Sequence, residues 1–109
     1  MLSGDDFTVL PTLAVGGKGV ISVTANIIPR DMASMVDSFV KGDLKRARDL
    51  HYKTFALHTA MFLETNPIPV KTALNIMGKI SSEMRLPLCE MSVANKEKLR
   101  EAMKDYGLI

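Results

Sequence analysis

Apolar side chains recur with a helical period through most of this chain. Met32, Met35, Val36, Phe39 and Val40 fall at i, i+3, i+4, i+7 and i+8, with Pro29 at a first-turn position, Asp31 in the first turn and Gly42 ending the pattern. Asp43 is placed to cap a longer helix reaching about residue 63, with Leu44, Ala47, His51, Phe55, His58 and Phe62 along one face. The stretch "NPIPVKTALNIMG" predicts a third helix, with Asn66 as cap, Pro67 as first residue and Val70, Ala73, Leu74 and Met77 as its stripe. Residues 79–91 carry no period, and Pro87 interrupts "RLPLCEM". A last helix is predicted from Ser92 to about Tyr106, with Leu99, Ala102, Met103 and Tyr106 inward and Gly107 as terminator.

The first 28 residues read differently. "FTVLPTLAVGG" predicts a short helix, with Asp5 or Asp6 as cap and Gly16 as its left-handed stop. Pro11 falls late for a first-turn proline and should bend the helix or cost it a hydrogen bond. "GVISVT", residues 19–24, is short, rich in β-branched residues and bounded by turn signals, the pattern of a strand buried on both faces. Such a strand needs neighbours on both sides for its backbone donors and acceptors. No other segment here reads as its partner, so the pattern is that of an incomplete βαβ unit.

Composition narrows the function classes. The chain has 109 residues, 47% of them hydrophobic and 24% charged, enough for a modest core. A net charge of +2 with interspersed signs forms no basic stripe, and two Tyr, four Phe and no Trp offer little to stack on bases. Nucleic acid is therefore not an expected partner. No apolar run approaches the roughly 20 residues of a membrane span, and the acidic start "MLSGDD" is unlike a signal peptide. One cysteine, Cys89, precludes an internal disulfide and fits a reducing compartment, so the expectation is a soluble, cytoplasmic protein.

Candidate chemistry is sparse. Asp5 and Asp6 have the composition of catalytic or metal-binding carboxylates, but aspartate is so strongly selected at helix starts that capping is the favoured reading. His51 and His58 can share a helix face, yet neither they nor Glu64 fall at metal-ligand spacing with a thiolate or acid, so packed or surface histidines are expected and no metal. "GGKG" runs into a strand with no Ser or Thr after Lys18, which excludes a phosphate loop. Lys71 lies just outside the apolar stripe of its helix, where a solvated lysine is the expectation rather than a nucleophile. The eight methionines lie mostly at core spacing.

Taken together, "LSGDD", "GGKGVISVTANIIPRDM" and "NPIPVKTALNIMG" carry a resemblance that none carries alone. Over essentially the whole chain, through "RLPL" and "REAMKDYGLI", they are similar to the C-terminal part of the 4-hydroxy-tetrahydrodipicolinate synthase (dihydrodipicolinate synthase) family. The superfamily also holds N-acetylneuraminate lyase, and "GVISVTAN" followed at this distance by "NPIPVK" favours the synthase. The resemblance implies an α/β fold: the C-terminal part of a (β/α)8 TIM barrel plus a helical extension, mostly α in this chain. Residues 1–42 would close the barrel, with "LSGDD" the tip of strand seven, the helix after it, strand eight at residues 19–24 and barrel helix eight at 29–41. Residues 43–109 would form the extension.

The resemblance also implies chemistry. The family condenses pyruvate with aspartate 4-semialdehyde in lysine (diaminopimelate) biosynthesis, through a Schiff base on a strand-six lysine, and needs no cofactor. That lysine, the relay tyrosine and threonine and the substrate-binding arginine would all precede Met1, which leaves no catalytic residue here and an inactive isolated chain, a natural fragment or a truncated reading frame. Gly4 and Ile21 match the family's pyruvate pocket. A homotetramer, a dimer of dimers, is implied at full length, with the helix at residues 7–15 a candidate contact between dimers and its Leu10, Leu13 and Val15 turned either to that contact or to the barrel. The alternatives are another pyruvate-dependent class I aldolase of the superfamily, such as an N-acetylneuraminate lyase-like enzyme, and a non-enzymatic helical interaction module.

Overall fold

The computed structural model describes residues 1–109 and divides into two compact units, residues 1–58 and 59–109. Five α-helices follow one another: α1 (Val9–Ala14), α2 (Pro29–Val40), α3 (Leu44–Ala60), α4 (Ile68–Ile76) and α5 (Val93–Tyr106). Two 3-10 turns, Asp6–Thr8 and Thr24–Asn26, precede α1 and α2. The order of elements follows the hydrophobic pattern closely because most helix ends carry their own stop signals. Asp5 accepts from the Phe7 amide at 3.0 Å, Asp43 from the Arg46 amide at 3.1 Å, and Ser92 from the Asn95 amide at 3.3 Å. Gly16, Gly42, Gly78 and Gly107 lie at the C-terminal ends with φ between 75° and 98°. Gly17 is required for a different reason. A Cβ there would stand 2.7 Å from the Thr12 carbonyl oxygen, which already accepts from the Gly17 amide at 2.8 Å.

In the first unit, α1 and the Thr24–Asn26 turn pack on α2. Val9, Leu13, Ile27, Ile28, Met32 and Met35 are buried there. α3 adds Ala47, Leu50 and Leu57, and Lys53 of α3 pairs with Asp31 of α2 at 3.2 Å. In the second unit α4 packs on α5, with Val70, Ala73, Leu99 and Met103 buried. The Glu64 carboxylate accepts from the Ser92 amide and from Asn95 Nδ2, both at 3.0 Å, and so caps α5 from a distant point of the chain. The Asn95 side-chain bond, then the Ser92 amide, holds Glu64 below the ordinary range of its carboxyl.

Several local expectations are corrected. Asn66 does not cap α4, which starts after Pro67 with no side-chain cap, and Val40 at the end of the α2 stripe is exposed. The buried face of α3 runs through Ala47, Leu50, Thr54, Leu57 and His58, whereas Leu44, Phe55 and Phe62 are exposed. Thr54 can be buried because its hydroxyl donates to the Leu50 carbonyl at 2.9 Å, which satisfies it within its own helix. Residues 19–24 do not form a strand: one parallel bridge, Ser3 with Val20, is all the pairing they make. Their far end is turned instead into the 3-10 helix at Thr24–Asn26, because the amides of Val23 and Thr24 donate to a side chain, Asp6. Nor is the segment buried on both faces, for Ile21 is 71% exposed.

The two faces of α3 set up a matched test. Leu57→Ala should cost about 2–5 kcal/mol in a chemical denaturation experiment, and Leu44→Ala under about 1 kcal/mol, since only the first opens a cavity. Equal losses would return the helix to the face predicted from its sequence.

Candidate functional site

The site begins with two short stretches of backbone lying side by side. The Ser3 amide donates to the Gly19 carbonyl and the Ile21 amide to the Ser3 carbonyl, both at 2.8 Å. This is parallel pairing, and it brings Gly4 and Ile21 onto neighbouring strands of chain. A Cβ at Gly4 would meet no atom within 4 Å, so the space beside it is open. Ile21 presents its side chain outward.

Two residues beyond Gly4, the Asp6 carboxylate turns inward and is 2% exposed. Its Oδ2 accepts three hydrogen bonds at 3.0 Å, from the Val23 amide, the Thr24 amide and the Thr24 hydroxyl. Of the two adjacent aspartates, Asp5 caps the turn that follows it and Asp6 instead reaches 17 residues along the chain. The Thr24 oxygen also lies 2.8 Å from Nδ1 of His58 on α3. A carboxylate only accepts, so the one hydroxyl proton of Thr24 goes to Asp6, and the oxygen receives the Nδ1 proton of His58. His58 is fully buried, with the Phe7 ring edge-on at 5.7 Å between centroids. Asp6 Oδ1 and His58 Nε2 are buried without a hydrogen-bond partner.

Burial depresses the His58 pKa below its ordinary value of 6.5; the Asp6 charge opposes this, His51 adds to it, and Asp5 opposes it. Burial thus disfavours the charged imidazole. No group of three or more His, Cys, Asp or Glu residues is arranged to hold a metal ion. His51 is half-buried and packs its ring against Tyr52 and Phe55. Lys18 and Cys89 are exposed and Lys71 is half-buried. No helix is long and apolar enough to cross a membrane.

Sequence reasoning brought Gly4 and Ile21 forward and missed the Asp6–Thr24–His58 chain that begins two residues beyond Gly4. The available signal was faint: a histidine on the inner face of a helix, and a second aspartate where one suffices for capping. Nothing in the spacing joins residues 18 and 34 positions apart.

The dihydrodipicolinate synthetase family model matches residues 1–106. The chain belongs to that family. It is 65% identical over its whole length to the 4-hydroxy-tetrahydrodipicolinate synthase of Thermodesulfovibrio yellowstonii, of which it spans 38%. A crystal structure of a dihydrodipicolinate synthase superposes with a TM-score of 0.95 at 58% identity, covering 99% of this chain and 38% of that one. The chloride-inhibited dihydrodipicolinate synthase from Acinetobacter baumannii, solved in complex with pyruvate, superposes at 0.94 with 44% identity, over 99% of this chain and 37% of its own. The fold is therefore that of one part of a (β/α)8-barrel synthase, its C-terminal part, in which helices predominate.

Burial of a neutral His58 makes stability depend on pH. Below 6.5 the unfolded chain takes up a proton that the folded chain resists, so this contribution is complete above 6.5 and lost as pH falls. Urea midpoints should decline from about pH 7.5 to about pH 5.5, and His58→Leu should flatten that decline. An unaltered slope in the variant would assign the dependence to other groups.

Proposed function

We propose that this chain supplies the C-terminal part of a 4-hydroxy-tetrahydrodipicolinate synthase, which condenses pyruvate with aspartate 4-semialdehyde through a lysine Schiff base. The single observation that carries the reading is the pairing of Ser3 with the Gly19–Ile21 backbone, which sets Gly4, with open space beside it, next to that pairing in a member of this family. The two residues form one wall of the pyruvate pocket: Gly4 leaves room for the ketoacid and Ile21 sets backbone and side chain against it. Barrels of this class place their chemistry at the C-terminal ends of strands. The groups that form the imine and move protons lie outside these 109 residues, so the chain alone is inactive.

The exposed surface supports a place within a longer barrel. Ile21 is open to solvent, and its neighbours Val20 and Ser22 line a separate groove of about 360 Å³ with Ala25, Met32, Ala33 and Val36. Within the barrel, residues 1–42 close the ring of strands and residues 43–109 form the extension. The working assembly is a cytoplasmic homotetramer. The stretch at residues 7–15 is the proposed contact between dimers; within it Leu13 is buried, Leu10 half-buried and Val15 exposed.

The test is a full-length synthase in which this chain replaces the matching 38% of the Thermodesulfovibrio yellowstonii enzyme. It should form product and acquire a pyruvyl adduct on borohydride treatment, while the 109-residue chain alone keeps its mass. In the active hybrid, Ile21→Phe should raise the pyruvate KM, since overpacking a tight site costs about 1–3 kcal/mol. A folded but inactive hybrid would overturn the assignment.

A further inference from the structure

Resting on that pocket reading, the geometry points to Asp6, Thr24 and His58 as positioning residues for the ketoacid site. Gly4 lies between Ser3 and Asp6, and Ile21 lies between the Ser3 bridge and Val23. The two stretches are tied at one end by the Ile21 amide on the Ser3 carbonyl, and at the other by the Val23 and Thr24 amides on Asp6. The pocket wall is thus a small ring closed at both ends.

The closure at the Asp6 end depends on a helix that contributes nothing to the wall. His58 of α3 gives its Nδ1 proton to the Thr24 oxygen, which directs the Thr24 proton onto Asp6 Oδ2. Each member of the chain is at most 2% exposed, and Asp6 Oδ1 and His58 Nε2 are buried with their acceptor capacity unused. Breaking such a buried network is costly, but apolar packing of the same volume would stabilise as well or better, so stability alone does not account for its presence. Its use is geometric: three hydrogen bonds on one oxygen set the distance between two backbones more narrowly than side-chain packing does. Displacements of about 1 Å at a reacting site cost up to about a hundredfold in rate.

The test uses the full-length hybrid with Thr24→Val, which keeps the shape and removes the hydroxyl, beside Thr24→Ser, which restores it. The valine variant should raise the pyruvate KM about tenfold and leave the aspartate semialdehyde KM within about twofold, with serine returning the pyruvate KM close to the parent value. A folded Thr24→Val enzyme with the parent's pyruvate KM overturns the proposal, as does a loss of kcat alone that serine fails to rescue. Should Thr24→Val not fold, the same comparison is made between His58→Leu and His58→Asn, the second of which keeps a donor toward Thr24. An inactive parent hybrid would refute the pocket reading and leave positioning to be judged on the 109-residue chain. There, Thr24→Val should speed exchange of the Ile21 amide about tenfold and Thr24→Ser should not, and equal exchange in both refutes it.

Discussion

The Asp6 carboxylate is the interaction on which the first unit depends. Without it the stretch from residue 19 to residue 24 would keep only the Ser3 bridge to the first residues, and the amides of Val23 and Thr24 would lack acceptors. Hydrogen bonds to a charged acceptor contribute about 1.5–3 kcal/mol each, and buried amides left unpaired cost about as much. By drawing those amides toward itself, Asp6 ends the extended stretch, starts the 3-10 turn and sets the entry to α2. The same carboxylate, through Thr24, fixes which nitrogen of His58 carries the proton.

A consequence is that the wall proposed for pyruvate is held by backbone and by a buried side-chain chain, not by the side chains that face the ligand. Gly4 and Ile21 are open on their outer side and constrained on their inner side. That division suits a site whose remaining groups come from elsewhere in a barrel, because one wall is already shaped before the others meet it. It also accounts for a charged residue in the core of so small a unit, where Asp is rarely buried without partners.

The second unit has no comparable network. Its helices are set by local signals and one remote cap, Glu64 on the start of α5, and buried threonine is again satisfied within its helix, Thr72 donating to the Ile68 carbonyl at 2.8 Å. Its core is aliphatic and methionine-rich, with Leu99 and Met103 fully buried, and no residue singled out for chemistry lies among them.

The sequence by itself determined the helices and their order, because periodicity, caps and terminal glycines act within a few residues of one another. Asp43, Ser92 and Gly107 stand where the pattern of neighbouring residues puts them. It also carried the motifs from which Gly4 and Ile21 are proposed as one wall of a pyruvate pocket. Tertiary structure alone decided which face of α3 is buried, since a helix with apolar residues on several sides takes the face that its neighbours cover. It alone decided that residues 19–24 make one bridge and then turn, since a strand exists only through its partners' backbone. And it alone joined Asp6 to Thr24 and His58, because hydrogen bonds between residues 18 and 34 positions apart leave no period in the chain that could announce them.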